Sequence, residues 1–209
     1  MMIQLRLEPG LFLFESFLTT ERQQELWRRC RALAEGPVPM YTPTVRGGRK
    51  MSVGMLCLGK HWNGLTYTYE PTRSDFDGQP VPPIPPEFAD VARDAAARAR
   101  FDLSPDLCIM NFYDVDGRMG LHQDRDESEA SLAAGVPVVS ISLGDTARFL
   151  FGGQRRRDPV DTILLESGDA FVFGGPARLR YHGVSRILRG TAPPELGVNG
   201  RFNLTFRKY

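Results

Sequence analysis

The sequence predicts a mainly β fold, a double-sheet β core with helices supporting one face. Two stretches of helical periodicity fill the first half of the chain. The second half is a series of short apolar runs broken by Gly, Asp and Pro, and no internal repeat or low-complexity tract divides the two halves. A chain of 209 residues is long enough to bury about 70% of its unfolded surface in one core. One domain is therefore expected over 1–209, with 1–105 as helical support and 106–209 as the β core.

From the N-terminus, the runs Ile3-Leu5-Leu7 and Leu11 to Phe14 flank Pro9-Gly10 and predict a small hairpin. Thr20 and Gln23 read as a capping box. Leu26, Cys30, Leu33 and Ala34 then recur at helical spacing until Gly36. Met51, Val53, Met55 and Cys57 predict one face of a strand after the basic turn Arg46–Lys50. The proline-rich stretch 70–86, with its Asp-Gly pair, reads as a connector. A second helix buries Phe88, Val91, Ala92, Ala95 and Ala99. Strands follow near 107–114, 120–124, 137–144, 147–152, 161–165, 169–174, 180–187 and 201–207.

Composition narrows function mainly by exclusion. Hydrophobic residues at 42% and charged residues at 24% rule out a disordered, collagenous or coiled-coil chain. A net charge of +1 gives no global attraction to nucleic acid, so such binding would have to use local patches. Cys30, Cys57 and Cys108 are dispersed and odd in number, which argues against a disulfide framework and a zinc–thiolate site. They read as small buried hydrophobes in a reducing compartment. With no signal-peptide pattern after Met1 and no bilayer-length apolar run, a cytoplasmic protein with no membrane partner is expected.

Histidine is scarce, with His61, His122 and His182 alone in the chain. His122-Gln123-Asp124 falls in a predicted strand, where a spacing of two sends imidazole and carboxylate to the same face. His182 follows on another predicted strand. Two histidines and one carboxylate can hold one face of a non-haem Fe(II) and leave the other positions open. A surface His beside an exposed Asp, and a structural histidine after Tyr181, are the bland alternatives. The strand Arg201–Arg207 alternates strictly, sending Arg201, Asn203, Thr205 and Arg207 to one face and Phe202, Leu204 and Phe206 to the other. The polar face either meets water or uses its guanidinium forks to grip carboxylates. Asn111 and Tyr113 share a face in the same way just before the H-x-D triplet.

Taken in order, Asn111-Phe112-Tyr113, Leu121 to Glu127, Val139 to Gly144, Phe151-Gly152-Gly153, Leu165 to Asp169, Arg178 to Gly183 and Arg201 to Arg207 resemble the AlkB family of Fe(II)/2-oxoglutarate-dependent dioxygenases, the bacterial DNA-dealkylation members most of all. The resemblance covers roughly residues 40 to 209. It implies a double-stranded β-helix, or jelly roll, with a nucleotide-recognition lid within 1–105. It implies Fe(II) on His122, Asp124 and His182 as the catalytic centre, and 2-oxoglutarate and O2 as co-substrates. Arg207 would lie near the keto-acid end of 2-oxoglutarate and Arg201 at its distal carboxylate, with Asn111, Tyr113 and Asn203 completing the pocket.

For the substrate, the same resemblance points to Trp62 and Tyr67 in the lid, Asp126 at the exocyclic nitrogen of the base, and Arg156. Trp62 also reads as an aromatic that simply plugs the lid onto the core. Arg46, Arg49, Lys50, Arg118, Arg125 and Arg155 to Arg157 are candidates for phosphate contacts, or for a merely solvated basic surface. The implied activity is oxidative demethylation of 1-methyladenine and 3-methylcytosine in DNA, releasing formaldehyde, succinate and CO2. The implied partner is alkylated DNA, single-stranded by preference, acted on by a monomer with no obligate protein partner. Two rivals stand beside this reading: a dioxygenase of the same fold acting on RNA, protein or a small molecule, and a non-catalytic nucleic-acid-binding jelly roll.

Overall fold

The computed structural model describes residues 3–209, with side chains described from Leu7 onward; Met1 and Met2 lie outside it. The chain forms β1 (Ile3–Glu8), β2 (Leu11–Glu15), α1 (Thr20–Ala34), β3 (Gly54–Leu58), β4 (His61–Asn63), β5 (Thr68–Glu70), α2 (Pro86–Arg98), β6 (Leu107–Tyr113), β7 (Met119–His122), α3 (Glu129–Ala133), β8 (Val138–Gly144), β9 (Thr146–Phe151), β10 (Asp161–Leu165), β11 (Ala170–Phe173), β12 (His182–Leu188) and β13 (Arg201–Arg207). Seven strands make a major sheet in the order β1-β2-β11-β8-β13-β6-β3. A minor sheet runs β10-β9-β12-β7, and β4 and β5 form a separate two-stranded sheet in the stretch expected to be the lid. Every strand pair is antiparallel. Two facing sheets with strands crossing between them are the expected jelly roll.

Strand alternation divides the core into two. Phe14, Val139, Ile141, Leu143, Phe202, Leu204, Phe206, Cys108 and Met110 leave one face of the major sheet. They pack against Leu26, Trp27 and Cys30 of α1 and Phe88, Val91, Ala92, Ala95 and Ala96 of α2. The opposite face turns toward the minor sheet, where Leu11, Leu13, Phe171 and Phe173 meet Phe149, Phe151, Val184 and Ile187. The polar residues of β13 share this inner face, beside β6 and β8 (Arg201↔Tyr113, Asn203↔Asn111, Asn203↔Ser142). Arg201 and Arg207 are buried, so the polar face does not meet water.

Three expectations are corrected. Thr19, not Thr20, caps α1, its hydroxyl accepting from the Arg22 N–H. Gln23 is buried instead, donating to the Leu18 carbonyl and accepting from the Ser167 hydroxyl. The strand read from Met51 begins only at Gly54 and is buried on both faces after its first residue, because Leu56 and Leu58 enter the helix-side core while Met55 and Cys57 pack toward Trp62 and Tyr69. α3 lies in the loop after Asp126, its first turn capped by the Ser128 hydroxyl accepting from Ser131 N–H at 3.2 Å. Residues 1–105 are more than support, since β2 and β3 are hydrogen-bonded into the major sheet.

Candidate active site

β7 and β12 pair so that His122 lies directly opposite His182. Gly183 permits that approach: a Cβ there would sit 2.6 Å from the Met119 carbonyl oxygen of β7. Asp124 is not on β7, which ends at His122, so strand alternation does not place it as expected. Hydrogen bonds and ion pairs place it instead. Arg178 donates to its main-chain carbonyl, and Arg207 Nη2 lies 3.3 Å from Oδ1. His122 Nε2 stands 3.6 Å from Asp124 Oδ1, and His182 Nε2 3.5 Å from Oδ2. The three potential ligand atoms all fall within 4.8 Å of one another.

The protonation states suit a metal. His122 Nδ1 donates to the Gly120 carbonyl at 2.9 Å and His182 Nδ1 to the Arg180 carbonyl at 3.1 Å. Each bond fixes the tautomer that turns a bare Nε2 toward the centre. Burial and the neighbouring His182 hold His122 below its ordinary pKa, so it stays neutral. Burial opposes ionisation of Asp124, but Arg207 and His182 outweigh it and keep the carboxyl well below its usual range. Two imidazoles and one carboxylate converging from a strand end, a loop and a second strand fit Fe(II).

The rest of the predicted pocket lies on the inner face. Arg201 is 1% exposed, yet its partners are all neutral: the Asp145 and Leu165 carbonyls (3.1 and 3.0 Å) and the Ser142 hydroxyl (2.6 Å). Its Nε and the Asn111 Oδ1 have no partner. Burial lowers the Arg201 pKa to about 10, which still leaves a full charge at neutral pH. A buried guanidinium without a carboxylate partner is costly unless an anion joins it, and a dicarboxylate such as 2-oxoglutarate supplies one. Asn203 donates to Ser140 Oγ at 2.7 Å, and Tyr113 is buried beside Met119, its hydroxyl 3.9 Å from Sδ.

Glu127 is the residue the sequence reading undervalued. Its side chain is fully buried between Arg178 (3.0 Å) and Arg207 (2.8 Å), and the Tyr69 hydroxyl of β5 reaches both Glu127 and Arg207. This network braces the loop that carries Asp124. The signal was present in Asp126-Glu127 following the triplet, but a charged pair in a loop ordinarily reads as solvated.

Trp62, Tyr67 and Asp126 come together at the mouth. The Trp62 indole donates to Asp126 Oδ2 at 2.8 Å, its ring lies 5.6 Å from Tyr67, and the Arg46 guanidinium lies 4.9 Å from the centre of the Tyr67 ring. Arg156 stands apart from that aromatic pair, donating to the Leu121 carbonyl at 2.9 Å beside His122.

The comparisons agree with this geometry. Residues 10–207 match the 2OG-Fe(II) oxygenase superfamily. The chain is 41% identical, over 97% of its length, to the "DNA N(6)-methyladenine demethylase ALKBH1C" of Arabidopsis thaliana, but covers 49% of that protein. It thus spans about half the length of the first curated relatives it matches. It is 39% identical to an "Alpha-ketoglutarate-dependent dioxygenase AlkB homolog" of Caulobacter vibrioides, covering 96% of this chain and 88% of that protein. It is 40% identical to "Alpha-ketoglutarate-dependent dioxygenase AlkB" of Escherichia coli, covering 81% of this chain and 76% of that protein. A solved structure titled "The structure of OsALKBH1" superposes with a TM-score of 0.93 at 42% identity, covering 99% of this chain and 100% of that one.

Proposed function

The chain belongs to the 2OG-Fe(II) oxygenase superfamily, and from that premise we propose that it is an Fe(II)/2-oxoglutarate-dependent dioxygenase that oxidatively removes methyl groups from bases in DNA. The observation that carries this reading is the His122–Asp124–His182 cluster together with a buried Arg201 whose hydrogen-bond partners are all neutral. A pure nucleic-acid-binding jelly roll needs neither.

When bound, Fe(II) with 2-oxoglutarate and O2 supplies the oxidation of an N-methyl group, leaving succinate and CO2 as co-products and an N-hydroxymethyl base that loses formaldehyde. The chain's own residues bind and orient. His122, Asp124 and His182 would hold the metal. Arg201 would grip the distal carboxylate of 2-oxoglutarate, with Arg207 near its keto-acid end and Asn111, Tyr113 and Asn203 around it.

Trp62 and Tyr67 would stack an unpaired base, with Oδ1 of Asp126 facing its exocyclic nitrogen, and Arg156, apart from them beside His122, would take the strand. This favours single-stranded or flipped substrates, and the name of the Arabidopsis relative favours DNA over RNA; the chain is proposed to act as a monomer. Three free, buried cysteines support a reducing, cytoplasmic setting.

Two positions of the methyl group are distinguished by one experiment. The resemblance favours the ring nitrogens of 1-methyladenine and 3-methylcytosine; the Arabidopsis relative's name favours N6 of adenine. Single strands carrying each base are incubated aerobically with the protein, Fe(II), 2-oxoglutarate and ascorbate, then weighed by mass spectrometry while succinate is measured. Loss of one methyl from one class identifies the substrate position. Succinate without any demethylation keeps the dioxygenase and overturns the DNA-base reading.

A further inference from the structure

The lid is too small to hold itself. β4 and β5 offer three residues each, and an isolated two-stranded hairpin is marginal in water. β4 alternates: His61 and Asn63 are buried, and Trp62 between them points the other way, to Asp126. Behind Trp62 stands a cluster that the proposed chemistry does not use. His61 Nε2 donates to Asp75 Oδ1 at 2.6 Å, with the two side chains 1% and 2% exposed. Asp75 Oδ2 accepts from the Gly64 N–H at 3.3 Å, which holds the turn after Asn63.

The Tyr41 hydroxyl donates to the same carboxylate at 3.3 Å. Tyr41 is itself tied to the edge strand of the major sheet by two main-chain bonds with Met55, of 3.0 and 2.7 Å. The Arg73 guanidinium, 1% exposed, lies 5.0 Å from the centres of both the Tyr41 and Phe76 rings, closing the cluster on its other side. A continuous path therefore runs from β3 through Tyr41, Asp75 and His61 to Trp62.

We infer that the buried His61–Asp75 pair is a positioning device that fixes the Trp62 ring for base stacking, so that His61 and Asp75 determine how tightly a methylated base is held without touching it. The inference rests on the proposed role of Trp62. A histidine and an aspartate isolated from water lose rotational freedom to one another, and a short, directional hydrogen bond in a buried polar network stiffens the strand that carries it. Asn63 adds to the hold, accepting from the Leu65 and Thr66 N–H groups at 2.9 and 3.2 Å and donating to Glu70 and Ser74.

The chain has two tryptophans, Trp27 in the core and Trp62 in the lid, so 5-fluorotryptophan labelling gives two fluorine resonances, assigned with Trp62→Phe. His61→Ala is expected to move or broaden the Trp62 resonance while that of Trp27 stays in place as an internal measure of the fold. The KM for the methylated oligonucleotide should rise about tenfold, with kcat and the succinate formed without oligonucleotide within about twofold. His61→Gln, whose amide can still donate to Asp75, should recover part of both effects.

An unmoved Trp62 resonance, or an unchanged KM, overturns the inference. So does a parallel fall of substrate-free succinate formation, which would make the pair a general support of the metal site. If His61→Ala also displaces the Trp27 resonance, His61→Gln and Asp75→Asn decide by the same readouts. A parent chain that demethylates no oligonucleotide sinks the functional reading alone, and the Trp62 resonance still tests the positioning.

Discussion

The two faces of β13 are built from the same seven residues and do opposite work. Phe202, Leu204 and Phe206 are sealed against α1 and α2, and hydrophobic burial is a sufficient account of them. Arg201, Thr205 and Arg207 are buried nearly as well and Asn203 partly, but burying two guanidinium groups opposes folding. One arginine pairs directly with the carboxylates of Asp124 and Glu127, whereas the other has no carboxylate within ion-pair distance and feels Asp145 and Asp169 only from farther off. A face that costs stability and is nonetheless kept closed is where function is to be sought.

Four measurements can break or sharpen that contrast. The largest effect is expected from Asp124→Ala, which removes the carboxylate shared by His122, His182 and Arg207. Demethylation and 2-oxoglutarate turnover should fall on the order of 10³-fold or more, with iron binding by equilibrium dialysis lost in parallel. Retained iron at wild-type affinity would contradict the assignment. On the other face, Phe206→Ala should destabilise by about 3–5 kcal/mol through cavity formation, read by urea unfolding, while activity per folded molecule stays within about twofold. A matching loss of metal affinity would show that the two faces are not separable.

Arg201→Lys keeps a charge but loses the planar fork. It should raise the KM for 2-oxoglutarate about tenfold and leave iron binding alone. The smallest effect concerns pH. Asp169 is buried with no ion pair among the described residues, and burial raises its pKa to about 6, whereas Asp124 among its cations is pushed down. A raised folded-state value means that the group stabilises the fold when protonated. Its contribution is complete below its unfolded value and disappears as pH rises through about 6. The apo protein should therefore gain on the order of 1 kcal/mol between pH 7 and 5 relative to Asp169→Asn, measured by thermal unfolding.

Much of this was legible because alternation is a local signal. The β13 pattern, the strand series after Leu107 and both main helices were readable from spacing alone. The H-x-D triplet was readable as chemistry but not as geometry, because β7 stops at His122 and only Arg178 and Arg207, distant in sequence, show where Asp124 goes. Glu127 and His61 escaped for the same reason. A carboxylate in a loop and a lone histidine near a proline-rich connector acquire meaning through partners at Arg178, Arg207 and Asp75, and pattern reading does not pair residues so far apart. Thr19 and Thr20 are interchangeable on composition, and the hydrogen bond to Arg22 alone separates them.

The register that sets His182 against His122 has a consequence for the lifetime of the chain. β8 to β11 all lie between those two histidines in sequence, so a metal ion bound to both would clasp a loop that contains four of the eleven strands of the two facing sheets. Opening β7 from β12 would require giving up a ligand. Binding that exists only in the folded state protects it by mass action. Resistance to proteolysis within residues 123–181 would then follow the supply of iron, and a cell short of the metal would lose the protein as well as its activity.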